Sequence, residues 1–141
     1  MKRKIYIVLI MFLAVIGMSI SLVLLNIHIE NKNNIQKDRI CNINEQFSCD
    51  TVDNSPYSQI FGVPISFIGM LGYLSIFITC FLALGIKRYA NVIFYLASIG
   101  ILFSIYLTII EAAKINSFCP YCLLSFAVIS LIGLFSYLAK K

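Results

Sequence analysis

Charge is what this sequence has least of. Only 12% of its 141 residues are Asp, Glu, Lys or Arg, against 60% hydrophobic, and the mean hydropathy is +0.92. Soluble domains average about 25% charged and about 45–50% apolar, so the shortage excludes both a disordered chain and an ordinary soluble domain. Three prolines and seven glycines are too few for a long linker, which leaves one membrane domain over residues 1–141. Internal repeats and low-complexity tracts are also missing. No Ala-x-Ala site follows the first apolar run, and that run is longer than the core of a signal peptide, so it reads as a permanent helix.

Four apolar runs, about 5–27, 60–86, 91–113 and 118–139, contain one charged residue between them, Glu111. At 1.5 Å per residue each run measures about 33–40 Å, enough to cross a hydrocarbon core of about 30 Å. The fold class expected is all-α integral membrane: a four-transmembrane-helix bundle with a long extracytoplasmic loop, 28–59, between helices 1 and 2. Tight turns at 87–90 and 114–117 force the remaining helices to be antiparallel neighbours.

The formal charge of +5 then becomes a statement of orientation. Lys2, Arg3, Lys4, Lys87, Arg88, Lys140 and Lys141 share the side of the termini with no acid among them. Lys32, Lys37, Arg39 and Lys114 share the other side with Glu30, Asp38, Glu45, Asp50, Asp53 and, at the membrane edge, Glu111. The positive-inside rule places both termini in the cytoplasm and the loop outside. No basic patch for nucleic acid remains.

Four of the five cysteines then gather at one membrane face. Cys41 and Cys49 lie in the loop as Cys-x7-Cys, and Cys119 and Cys122 form Cys-Pro-Tyr-Cys at the start of helix 4. That face is the oxidising one, where disulfides persist. Asn116 or Ser117 is placed to cap the helix, with Pro120 in its first turn, so free N–H groups and the positive end of the helix dipole face the sulfurs. Such a setting favours the thiolate that attacks disulfides or leaves from them. Two other arrangements fit the same residues: a structural zinc site, and a purely structural Cys41–Cys49 bridge. Cys80 lies about 30 Å along helix 2 from this face, too far for a disulfide, and reads as a small buried hydrophobe.

With these residues in place, the sequence resembles the vitamin K epoxide reductase family in its short bacterial form without a fused thioredoxin-like domain. The resemblance rests on the cysteine order and spacing, on Ser48-Cys49-Asp50, on Ser55, and on Ile60-Phe61-Gly62-Val63-Pro64 leading into helix 2. The other four-helix thiol:quinone oxidase family carries its Cys-x-x-Cys in the first outer loop, unlike this chain. The resemblance implies a thiol-disulfide:quinone oxidoreductase in the bacterial cytoplasmic membrane. A reduced thioredoxin-fold (DsbA-like) partner in trans reduces the Cys41/Cys49 pair, and a loop thiolate, with Cys49 preferred, attacks Cys119. Cys122 then faces a quinone, menaquinone or ubiquinone, and each sulfur step is thiolate–disulfide exchange. It implies no resident metal. Residues proposed to bind the quinone are Ser55, Ser58, Phe61 and Phe126. Animal members carry Tyr at the position of Phe126 and an Asn near the start of helix 2, where Ser58 and Gln59 stand here, so quinone reduction is expected in preference to the alternative, quinone-epoxide reduction. A non-enzymatic scaffold is the remaining alternative.

Further residues carry two readings each. Residues 55–59 form either a short cap over a quinone pocket or an interfacial turn with an aromatic anchor. Ser66, Gly69 and Gly72 make a small face that close helix packing explains, although the same thinning would admit a flat ring. Glu111 is placed to snorkel at the outer interface beside Lys114, with tuning of Cys119 or uptake of a proton as its alternative. Tyr106, Leu107, Phe118 and Leu123 are candidate walls or simple packing. No chemistry is assigned to His28 or Glu30. Cys49 and Cys119 are 70 residues apart in sequence, so the relay predicts a loop whose conformation depends on redox state.

Overall fold

The structure is a computed structural model, which describes residues 2–35 and 40–141. Lys37, Asp38 and Arg39, part of the loop's charge balance, lie outside the described residues. Four helices are long and apolar enough to cross a membrane: α1 (Lys2–Lys32), α3 (Ile65–Gly85), α4 (Tyr89–Ile110, continued by a π-helical turn Glu111–Ile115) and α5 (Pro120–Lys140). A five-residue helix, α2 (Cys49–Asp53), lies in the loop. α1 packs on α3 and α5, and α4 packs on the same two, which makes a closed four-helix bundle with α1 and α4 across the diagonal. Tyr6 stacks on Phe135, so the two termini share one end, and the four cysteine thiols of the loop and α5 lie at the other.

The helices are apolar on every side, and burial picks out one stripe on each. In α1 the buried series includes Ile7, Ile10, Ala14, Gly17 and Ser21; in α3 it includes Tyr73, Ile76, Cys80 and Ala83, with Thr79 beside Cys80; in α4 it is Ala90, Ile93 and Ala97. Steps alternating between three and four residues keep a seam facing its neighbours along a bundle. The outward faces present Phe12, Phe81, Ile99, Leu102 and Leu131. A water-soluble surface would not sustain that exposure, whereas lipid tails solvate it at no cost. This is a multi-pass membrane protein.

Small residues bring the helices together. A Cβ on Gly17 would sit 2.5 Å from the Tyr73 ring, so only glycine lets that ring lie flat on α1. The Tyr73 hydroxyl donates to the Ser125 carbonyl (2.9 Å) and is 2.8 Å from Ser125 Oγ, which ties α1, α3 and α5 together at one level. Cys80 is fully buried in the same core.

Helix boundaries depart from the apolar runs where polar residues or proline intervene. α1 continues a turn beyond 27, because His28 and Asn31 in that turn bind the loop. α3 starts at Ile65 rather than 60. Residues Gln59–Ile60 (β1) and Val63–Pro64 (β2) form an antiparallel hairpin instead, closed by Phe61 and Gly62 at φ 52° and 80°. Positive φ at both central residues is the type I′ pattern, and Pro64 disfavours helix at Val63 before it. α4 gives way to the π turn and then to Asn116 in the left-handed region, φ 53°, which turns residues 117–119 into an extended segment.

Replacing Gly17 with Ala is expected to destabilise the bundle by about 1–3 kcal/mol through overpacking against Tyr73. Gly72→Ala, whose Cβ would meet nothing within 4 Å, leaves the melting temperature in detergent unchanged or raised. Equal melting of the two variants would contradict the packing described.

Candidate functional site: a buried thiol cluster over a membrane cavity

The extended segment after Asn116 pairs with the loop. Phe118 N–H donates to the Gln46 carbonyl (2.7 Å), Ser48 N–H donates to the Phe118 carbonyl (3.1 Å), and Ser117 Oγ donates to the Glu45 carbonyl (3.0 Å). Phe47 and Phe118 form a parallel bridge, with ring centroids 6.1 Å apart. This register carries the next residue of each strand, Cys49 after Ser48 and Cys119 after Phe118, to the same place. Cys49 Sγ lies 3.1 Å from Cys119 Sγ, each residue only 1% exposed. Cys41 belongs to the same buried cluster, and Cys122 packs against it. All four are free thiols.

Local chemistry fixes Cys49. It is the first residue of α2, whose N-cap is Ser48: Thr51 N–H donates to Ser48 Oγ (3.3 Å), and Ser48 Oγ donates to Asn42 Oδ1 (3.0 Å). The far end of α2 is latched to α1. Asp53 accepts from His28 Nδ1–H at 2.8 Å and from Asn31 Nδ2 at 2.9 Å, while Gln59 Nε2 donates to His28 Nε2 at 2.9 Å. His28 thus has a positioning role that its sequence context did not reveal. The only signal was a polar turn continuing an apolar helix.

Cys119 is itself the N-cap of α5, with Pro120 at the first helical position; neither Asn116 nor Ser117 fills that place, because both belong to the turn and strand before it. Cys122 hydrogen-bonds to the Cys119 sulfur, Cys49 does the same, and the N–H groups of Cys122 and Tyr121 act on it from the helix start. These donors outweigh burial and pull the Cys119 thiol down from 9.0 to about 4. The Cys49 thiol is held well above its ordinary value, first because it donates to Cys119 and then by burial. Cys119 is therefore the thiolate of the group, and Cys49 a proton-bearing neighbour in contact with it.

Glu111 departs from its expected position. It is 4% exposed rather than snorkelling, while Lys114 in the same π turn is exposed. Its Oε2 accepts the Cys119 N–H at 3.2 Å. The π turn rotates the end of α4 so that the carboxyl points inward to the thiols.

Beneath the thiols opens a cavity of about 390 Å³ between α1, α3, α4 and α5. Cys49, Cys119, Cys122, Glu111 and Asp53 border it at one end, and its walls are apolar, among them Ile68, Ile76, Leu96, Phe103, Leu107 and Ile129. Ser55, Tyr57 and Ser58, in a 3-10 turn (Pro56–Ser58), also line it. Ser66, Gly69 and Gly72 face into it, so the small face of α3 thins the wall of a cavity in addition to packing helices. Phe61 and Phe126 do not line it. Phe61, at the tip of the hairpin, is fully exposed, and Phe126 points to the helix core while Cys122, Ser125 and Ile129 on the same helix face the cavity. Tyr106 lies outward.

The sequence model of the vitamin K epoxide reductase family matches residues 8–137. The chain belongs to that family. As a vitamin K epoxide reductase family protein it is a membrane oxidoreductase, and the family's chemistry is quinone-related. The family match spans all four membrane helices and every cysteine of the cluster.

Because the thiolate is the nucleophile, alkylation of Cys119 in the reduced protein is expected to stay on a plateau from neutral pH down to about pH 5. It should fall only as the pH passes through about 4, where the sulfur takes up its proton. Mass-spectrometric labelling of each cysteine against pH measures this. A Cys119 rate already lost by pH 7 would refute the assignment.

Proposed function

We propose that the protein passes electrons from a reduced thioredoxin-fold thiol oxidase through Cys41/Cys49 and Cys119/Cys122 to a membrane quinone, and so supports disulfide formation. The observation that carries this is the 3.1 Å approach of Cys49 Sγ to Cys119 Sγ, directly above an apolar cavity bordered by Cys122. The distribution of basic residues supports cytoplasmic termini and an extracytoplasmic cluster.

The steps follow from the order of the sulfurs. The partner's thiolate attacks Cys41 of the oxidised loop pair, and Cys49 leaves. Cys41 is the entry sulfur because Cys49 is seated on Cys119 and walled in by α2. The partner's second thiol then releases its own disulfide, leaving Cys41 and Cys49 reduced. Cys49 attacks Cys119 of the oxidised Cys119–Cys122 pair, and Cys122 leaves. Cys41 attacks Cys49, which restores the loop disulfide and frees Cys119. The Cys119 thiolate is a good leaving group in that last step, since its donors stabilise the charge. Stabilising the reduced form also makes the Cys119–Cys122 pair the stronger oxidant, so electrons run from the loop inward.

A quinone fits the cavity by size and chemistry. About 390 Å³ lies within the range of small-molecule sites. Gly72 leaves open space on the α3 wall, Ser58 supplies a hydroxyl, and Cys122 borders the same space. When bound, the quinone takes two electrons and two protons as Cys119 and Cys122 close their disulfide. Cys41 is buried in this conformation, so the partner's attack requires Cys41 to become accessible, which makes loop conformation redox-dependent.

Cys122→Ser is expected to abolish quinone reduction by a dithiol partner and to accumulate a Cys49–Cys119 disulfide on oxidation. Cys49→Ser should capture a thioredoxin-fold oxidase through Cys41. Full quinone reduction in Cys122→Ser would end this reading. Gly72→Leu fills the cavity from a position with open space, so it should raise the quinone KM by about tenfold or more while Cys49–Cys119 exchange persists. An unchanged KM would place the quinone elsewhere.

A further inference from the structure

Glu111 is the one acid the four apolar runs contain, and it is buried at the end of a membrane helix. A carboxyl in that setting is expensive unless it is partnered or used. Its hydrogen-bonded partners are few. Oε2 accepts the Cys119 N–H, and the Cys122 thiol, whose single S–H lies between the Cys119 sulfur and the carboxyl, is its other neighbour. No Lys, Arg or His lines the cavity among the described residues. The ionisable groups around Glu111 are Cys49 on α2, Cys119 and Cys122 at α5, and Asp53 across the cavity; Lys114 on its own turn is turned outward. Among the described residues, then, no ion pair explains it. The π turn is the second observation. It takes over from α4 at this residue and leads into the extended segment that carries Cys119, so the first side chain of the turn faces the thiols.

We propose that Glu111 is the proton carrier between the Cys122 thiol and the quinone in the cavity, a role that rests on the quinone-reductase reading above. When the Cys119/Cys122 pair is oxidised, the S–H bond of Cys122 breaks and Glu111 accepts that proton. An S–S bond forms between Cys122 and Cys119, and the electron pair goes to the quinone. Glu111 then releases its proton to the reduced quinone oxygen and returns to the carboxylate. Cys119, already a thiolate, has shed its proton to water, and water supplies the second proton on the quinol. Two thiol hydrogens are lost overall and one quinol is made.

Glu111→Gln preserves shape and an acceptor oxygen for the Cys119 N–H but cannot carry a proton. Single-turnover oxidation of the dithiol-reduced protein by a soluble short-chain quinone in detergent should slow about 10²-fold, the scale of lost proton transfer. The fold is checked by Cys119 alkylation. In Glu111→Ala the rate should recover in proportion to added formate, which a merely structural carboxyl would not show, and formate should not accelerate wild type or Cys122→Ser. A Glu111→Gln rate within threefold of wild type, or a slow Glu111→Ala that formate leaves slow, overturns the proposal. If wild type itself reduces no quinone, the quinone-reductase reading fails instead.

Discussion

The geometry of the whole site depends on one short piece of parallel pairing. Residues 45–48 of the loop bond to 117–118 ahead of α5, and each strand then delivers a cysteine. A strand pair fixes register to within a residue, and a slip of one would turn the following side chains to opposite faces. That pairing is affordable only because α4 stops early. Its π turn and the left-handed Asn116 free 117–119 from helix, so their backbone groups are available to the loop. Had α4 continued as helix through residues 117–119, the loop would have had nothing to bind.

The rest of the loop is held against the same bundle by unlike devices. Ser48 caps α2, and Asp53 at its other end is gripped by His28 and Asn31 of α1, so the helix that begins with Cys49 is fastened at both ends. None of these contacts is apolar. The residues they hold, however, form a buried cluster of sulfur with Ile27 at its base. Polar bonds thus seal a thiol compartment away from water. In such a compartment a donor to the Cys119 sulfur acts undiluted, which is how several weak donors overcome burial there.

Membrane helices are apolar on all sides, so pattern alone cannot say which face looks inward. The four spans were legible because length and hydropathy are local properties, and the pairing of cysteines at one end followed from counting spans. Glu111 and the Ser66–Gly69–Gly72 face were visible as unusual residues, yet snorkelling and helix packing explained them equally well in one dimension. Phe61 and Phe126 failed as cavity residues for a related reason. The hairpin at 59–64 throws Phe61 outward, and α5 is rotated so that Cys122 and Ser125 look into the cavity in place of Phe126. His28 gave little hint beyond its place in a polar turn, because its partners Asp53 and Gln59 are 25 and 31 residues away.

By itself the sequence determined that the chain has four spans long enough to cross a membrane, gave an expected side for each loop, and put two cysteine pairs at one end of the bundle. Those are consequences of transfer free energy and charge, which act residue by residue. Only the tertiary structure decided which sulfur touches which, that Cys119 is the thiolate, and that Glu111 looks at the thiols across the end of a cavity. Each of these depends on distances of about one bond or one hydrogen bond between residues far apart in the chain, and no local property of the sequence sets such a distance.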